Sequence, residues 1–141
     1  MPHEQEIESL SVMLSHLHRD MSRMFFQHAG MSLSRFLVLH ELMHAGELSQ
    51  TDLQRRLGME GALVTRFVKD MEQAGLITRR VNPRDNRFTL VALAPAGRET
   101  LEKMKILREA SEAQLLDGVS KKEQAIMVNI LGRIQENISR W

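Results

Sequence analysis

The sequence contains no cysteine, which excludes disulfides, cysteine-based zinc sites and thiol redox sensing. A reducing cytoplasm is therefore the expected location. Aromatic residues make up only 4% of the 141 positions and tyrosine is missing altogether, so a core must be built from aliphatic side chains and ten methionines. No run approaches 18 apolar residues, so no segment is expected to span a membrane. The start, MPHEQEIESL, is acidic and polar, without the basic-then-apolar order of a secretory leader. Internal repeats, low-complexity runs and flexible linkers are also missing. At this length the chain is expected to be one continuous domain that packs helices together.

Charge is scarce as a net quantity, because the formal total is only +1, and it makes no case for nucleic acid by itself. Its distribution says more. From Gln50 to Leu90 there are eight basic residues against five acidic ones, a local net of +3 that leaves −2 for the remainder.

That basic stretch contains the chain's most informative order of elements. GALVTRFVKDMEQAG has Val64, Val68 and Met71 at helical spacing with Phe67 beside them, and it ends on a glycine stop at Gly75. A strand is expected over 76–81 and a partner over 87–93, with Asn82, Pro83 and Asp85 as turn formers between them. Arg79, Arg80, Arg84 and Arg87 put four cations on this one hairpin, which core packing does not explain. Upstream, SQTDLQRRLG offers a Ser49 cap, an acidic residue three positions on, inward Leu53 and Leu57, and a stop at Gly58. Two short helices joined through a glycine, followed by a charged hairpin, make a winged helix-turn-helix, a unit that reads DNA.

The flanking segments are helical. Ile7, Leu10, Leu14, Leu17, Met21, Met24 and Phe25 lie at three- and four-residue steps over 4–28, ending at Gly30. Ser32 caps a second helix, mostly buried, with Met31, Phe36, Val38, Leu39, Leu42 and Met43 around it and Gly46 at its end. Pro95 suits the first position of a later helix, whose expected inner seam is Leu101, Met104, Leu107, Ser111 and Leu115, up to Gly118. Ser120 and Glu123 form a capping box for the last helix, where Ile126, Ile130, Ile134, Ile138 and Trp141 recur. That stripe is too long to be covered from within, so the first and last helices are expected to build a dimer interface.

On the recognition helix, Thr65, Arg66 and Lys69 sit off the buried edge. An arginine here can pair with guanine O6 and N7, worth about 1–3 kcal/mol of base discrimination, which makes Arg66 the expected specificity residue. Thr65 suits a base methyl or a phosphate. Lys69 suits a phosphate, or a pair with Asp70 or Glu72. The small residues Gly61 and Ala62 permit close approach to the groove. Gln50 and Thr51, at a helix start, are placed to hold a phosphate or simply to cap. In the wing, Arg84 is the expected minor-groove or backbone contact, Arg87 either touches DNA or is held by Asp85, and Asp85 shapes the turn.

A competing pattern lies in His40-Glu41-Leu42-Met43-His44, which fits the His-Glu-x-x-His arrangement of zinc hydrolases. Catalysis there needs a third protein ligand and a cleft. His3, His16, His18 and His28 all lie upstream, and the helix is already needed to support the helix-turn-helix, so neither a catalytic metal nor an enzyme is expected; a regulatory metal held by His40, His44 and a histidine of the first helix is a less remote alternative than catalysis.

These residues resemble the multiple-antibiotic-resistance regulator (MarR) family of bacterial transcription factors. The resemblance covers nearly the whole chain and is sharpest from Met31 to Gly97. MSLSRFLVLHEL is similar to the family's second-helix opening, and LVTRFVKDMEQAGLITR to its recognition helix and first wing strand. Asp85-Asn86-Arg87, then Val91, Leu93 and Gly97, resemble the wing signature Asp-x-Arg, Val-x-Leu-Thr-x-x-Gly. Two positions depart from it. Asn86 stands where a second arginine is frequent, removing a wing cation, and Ala94 stands where threonine is usual, removing a helix cap worth about 1 kcal/mol.

The resemblance implies a mainly α fold of six helices with a small β-hairpin wing, dimeric through its N- and C-terminal helices. Residues 31–94 would form the winged DNA-binding region, and 1–30 with 95–141 the dimerisation region. It implies a sequence-specific regulator, a repressor, that binds double-stranded operator DNA with pseudo-palindromic symmetry as a homodimer and needs no cofactor. It further implies a small aromatic or phenolic effector where the first, second and fifth helices meet. Arg35, inside an apolar arc, is the residue that invites an effector carboxylate, with Met21, Met24, Leu39 and His40 as walls; an internal Glu or Asp partner is the other option. A winged-helix module that binds protein rather than DNA is the remaining alternative.

Overall fold

The computed structural model describes the backbone of residues 2–141 and the side chains of residues 9–141. Ile7 of the first apolar stripe and His3 therefore lie outside the described side chains. Among the described residues the order is α1 (Pro2–Ala29), α2 (Leu33–Ala45), β1 (Leu48–Ser49), α3 (Gln50–Leu57), α4 (Gly61–Gln73), β2 (Ile77–Val81), β3 (Thr89–Leu93), α5 (Pro95–Leu115) and α6 (Lys121–Ser139). This is a mainly α, winged helix-turn-helix architecture. None of the helices is long and apolar enough to cross a membrane.

The helix boundaries have local causes. Ser32 accepts the Arg35 N–H at 3.2 Å, Ser49 accepts the Asp52 N–H at 3.0 Å, and Ser120 with Glu123 closes a capping box at the start of α6. Gly58 holds φ 61° and ψ 30° after α3, a left-handed conformation that lets the chain turn at once into α4.

The sheet holds one strand that periodicity did not announce. Besides the hairpin, in which β2 and β3 pair antiparallel with Ile77 opposite Leu93 and Val81 opposite Thr89, β1 pairs with β3 through Leu48 opposite Val91. The order is β1-β3-β2. Two residues carry no period, so β1 exists only through its partner.

The chain divides into two compact units, residues 1–109 and 110–141. The core of the first is aliphatic: Val38, Leu39, Leu53, Val64, Val68 and Val91 are fully buried, with Leu42, Met71 and Ile77 nearly so. Each such side chain contributes about 1.5–3 kcal/mol by leaving water. The α5 seam differs from the expected one. Leu101 and Met104 are buried, but Leu107 is 44% exposed and the inward position one step on is Arg108. In the second unit, α6 buries no residue and exposes Ile126, Ile130 and Ile138.

Candidate nucleic-acid interface

The α4 helix separates its two sides cleanly. Val64, Val68 and Met71 enter the core, while Ala62, Thr65, Arg66 and Lys69 are exposed. Neither Arg66 nor Lys69 forms an ion pair among the described residues. The carboxylates expected as partners for Lys69 are occupied elsewhere: Asp70 accepts from Arg35 at 3.1 Å and Glu72 accepts from Arg79 at 2.9 Å. The Arg66 guanidinium instead lies 5.9 Å from the centroid of the Phe67 ring, and Arg35 lies 5.7 Å from the same ring. Such contacts steady a cation at low cost and leave its hydrogen-bond donors unspent.

Thr65 and Gln50 are already engaged with one another. Gln50 Nε2 donates to Thr65 Oγ1 at 2.7 Å, and the Thr65 hydroxyl donates to the Gly61 carbonyl at 2.9 Å. This latch ties the start of α3 to α4. Thr51, exposed beside it, lines a groove of about 360 Å³ with Ser49, Arg55, Asn82, Phe88 and Leu90, between the α3 start and the wing.

The wing tip is shaped by two side chains. Asn82 Oδ1 accepts the Arg84 N–H at 2.9 Å, and Asp85 Oδ1 accepts the Arg87 N–H at 3.1 Å, while Asp85 N–H donates to the Asn82 carbonyl. Arg87 grips Asp85 with two bonds, Nε to Oδ1 at 3.0 Å and Nη2 to Oδ2 at 2.8 Å. This holds the Asp85 carboxyl below its ordinary range and raises Arg87. Arg79 clasps Glu72 in the same two-pronged way, and Arg80 clasps Glu47 at 2.9 and 2.6 Å. Those bonds lower both glutamates. Of the four hairpin cations, only Arg84 has no ion-pair partner among the described residues. The polar face thus presents Arg66, Lys69 and Arg84 as unpaired charges between Gln50 and Leu90.

The residues grouped in the sequence as effector contacts lie at different depths. Arg35 is not the buried guanidinium that its place in an apolar arc suggested: its side chain is 42% exposed and bridges α2 to α4 through Asp70. Leu39 is fully buried in the core, and Met21 is 36% exposed on α1. Met24 is half-buried. His40 lines a cavity of about 320 Å³ between α2 and α5, with Phe36, Met43, His44, Leu101, Glu102, Lys105 and Arg108. Sequence reading missed Lys105 and Arg108. Their signal was the i, i+4 and i+7 spacing from Leu101, which places two cations on the helix face that the apolar seam was expected to occupy.

His40 and His44 lie against one another on α2. Their Nε2 atoms are 3.1 Å apart and their rings meet edge to face with centroids at 4.4 Å. Glu41, the third member of the hydrolase pattern, accepts from Arg56 at 3.0 Å. No three potential ligands converge among the described residues.

Residues 31–89 match the MarR family. The HTH-type transcriptional regulator YdgJ of Bacillus subtilis is 41% identical over 110 residues, 78% of this chain and 67% of that protein. Two solved structures are similar in fold. An E. coli MarR mutant complexed with operator DNA is 21% identical, with a TM-score of 0.84 over 92% of this chain and 95% of that one. BpsR of Bordetella bronchiseptica, whose DNA binding is regulated by 6-hydroxynicotinic acid, is 22% identical, with a TM-score of 0.82 over 90% and 98%. The wing with its buried Val91 and close-packed Gly97, the glycine-turned helix pair and these likenesses lead to one assignment: the chain belongs to the MarR family of non-enzymatic, DNA-binding transcription regulators.

Proposed function

We propose that this protein is a cytoplasmic repressor that binds a pseudo-palindromic operator as a homodimer and releases it when a small aromatic acid or phenol binds. Residues 31–94 form the reading head in this proposal, and 1–30 with 95–141 the dimerisation part. The observation that carries it is the exposed face of α4. Among the described residues, Arg66 and Lys69 stand there free of carboxylates, on a helix whose opposite edge is locked into the core. Arg66 reads a base, Lys69 and Arg84 hold phosphates, Ala62 allows close approach, and Gln50 and Thr51 meet the backbone beside the α3 start. Arg87 acts chiefly through Asp85, as a brace of the wing.

The effector site in this proposal is the α2–α5 cavity. Phe36, Met43 and Leu101 offer apolar walls to a ring, and Lys105 and Arg108 offer charge to an anion. The fold-level likeness to BpsR, which responds to a small aromatic acid, supports the same ligand class.

Selection of bound duplexes from a random pool tests the proposal. An operator should emerge, and Arg66→Ala should reduce preference for it over random duplex by about tenfold or more, the loss of one bidentate base contact. An unchanged preference would remove Arg66 from the reading role. The neutralised wing favours one other reading, a module that binds protein. Absent or salt-insensitive duplex binding would select it, because phosphate contacts impose a steep salt dependence.

A further inference from the structure

The His40–His44 pair sits on the wall of the same cavity as two permanent cations. At 3.1 Å between their Nε2 atoms, the neutral pair is within hydrogen-bond reach when one ring donates and the other accepts. Burial, then His44, then Arg108 lower the His40 pKa below the ordinary histidine value, with Glu41 opposing. On the α5 side the groups lining the cavity are Lys105, Arg108 and one carboxylate, Glu102, which is exposed and bonds to none of the cations. From α1, Phe25 packs on Phe36 and Phe36 on His40, and neither ring carries charge. The Arg108 Nε–H is buried with no hydrogen-bond partner among the described residues. An arginine that lines a cavity with apolar walls and keeps an unspent donor suits a carboxylate partner.

A carboxylate arriving there changes the electrostatics of the pair. It offsets the Arg108 field and supplies an acceptor for an imidazolium N–H. Both effects favour a proton shared within the pair.

We propose that the His40–His44 pair takes up a proton when an aromatic monocarboxylate enters the α2–α5 cavity, so that effector affinity, and with it operator release, strengthens as pH falls. This rests on the proposal that the cavity is the effector site. The proton comes from solvent and resides on an imidazole nitrogen; no covalent bond of the ligand changes. The sign follows from linkage. Binding that raises a pKa is tighter below the bound-state pKa, by up to about tenfold per pH unit for one proton, and levels off below the free-state value.

The probe is 2-naphthoate, titrated into the full-length protein by calorimetry at pH 6 and pH 8, in two buffers of different ionisation enthalpy. The expected result is tighter binding at pH 6, with net proton uptake read from the buffer dependence. His40→Gln and His44→Gln should each reduce the uptake and flatten the pH slope. Arg108→Gln should weaken binding about tenfold at both pH values, which locates the ligand. Binding that weakens in Arg108→Gln but carries no uptake, or carries undiminished uptake in both histidine variants, overturns the proton coupling alone. No binding at either pH, or binding indifferent to Arg108→Gln, overturns the cavity assignment and the coupling with it.

Discussion

A Cβ placed on Gly97 would lie 2.0 Å from the Leu76 carbonyl oxygen and 3.1 Å from Leu93 Cδ2. That oxygen cannot retreat freely, because it accepts the Ala94 N–H at 3.0 Å and so fixes where α5 leaves the wing. Gly97→Ala is therefore expected to destabilise the fold by about 1–3 kcal/mol, the usual cost of forcing volume into a packed contact. Chemical denaturation checks it, and an unchanged midpoint would mean that α5 is not seated against the wing as described. In the sequence Gly97 stood out only through a family signature; its physical reason is a non-local approach that no spacing reveals. Helix starts were far more legible at this scale. Ser32, Ser49, Ser120 and Glu123 lie within three residues of the N–H groups they cap, so a short window contains the whole interaction. Arg35 shows the opposite case: its partner Asp70 is 35 positions away, and a helical wheel cannot distinguish a buried charge from one that reaches past its neighbours.

The hairpin is where counting charges along an element misleads. Four arginines suggested a strongly basic wing, yet Glu72, Glu47 and Asp85 clasp three of them, and two of those partners come from outside the hairpin. Exposed pairs of this kind contribute little to stability. They do set what a phosphate must compete with, and the same bonds lower the three carboxylate pKa values, so the pairs persist further into acid. Arg84 faces no such competition. Arg84→Ala is expected to lower affinity for operator and random duplex alike and to reduce the slope of log K against log salt by about 2, one phosphate contact from each protomer of the dimer. Fluorescence anisotropy over a salt series measures both. A loss confined to the operator would instead assign Arg84 to base reading. The short strand β1 belongs to this scale too. The sequence offered a turn between α2 and α3, and only the pairing of Leu48 with Val91 turns it into a third strand that anchors the wing beside the helix pair.

For the molecule as a whole, the exposed apolar faces of the terminal helices are the largest unresolved energetic debt. On α1, Leu10, Leu14 and Leu17 are 48%, 37% and 48% exposed; on α6, Ile126, Ile130 and Ile138 are 50%, 42% and 67% exposed. Their three-, four- and eight-residue steps were visible in the sequence because periodicity is a local property, whereas what would cover them is not. A second copy supplies the cover most economically, since a two-fold interface uses each apolar residue twice and gives two recognition helices to a two-fold site. Stable interfaces of this kind bury about 1,200–2,000 Å². Placing a carboxylate in such a contact should therefore count twice. Leu17→Asp and Ile130→Asp are each expected to convert a dimer into a monomer at micromolar concentration while leaving the aliphatic core of residues 1–109 folded. Sedimentation velocity reads the mass, and circular dichroism confirms the helices. Operator affinity should fall by about tenfold or more with the mass, because a lone reading head loses the second half-site while each head keeps its own contacts. Variants that remain dimeric with both substitutions combined would place the two-fold contact on some other face.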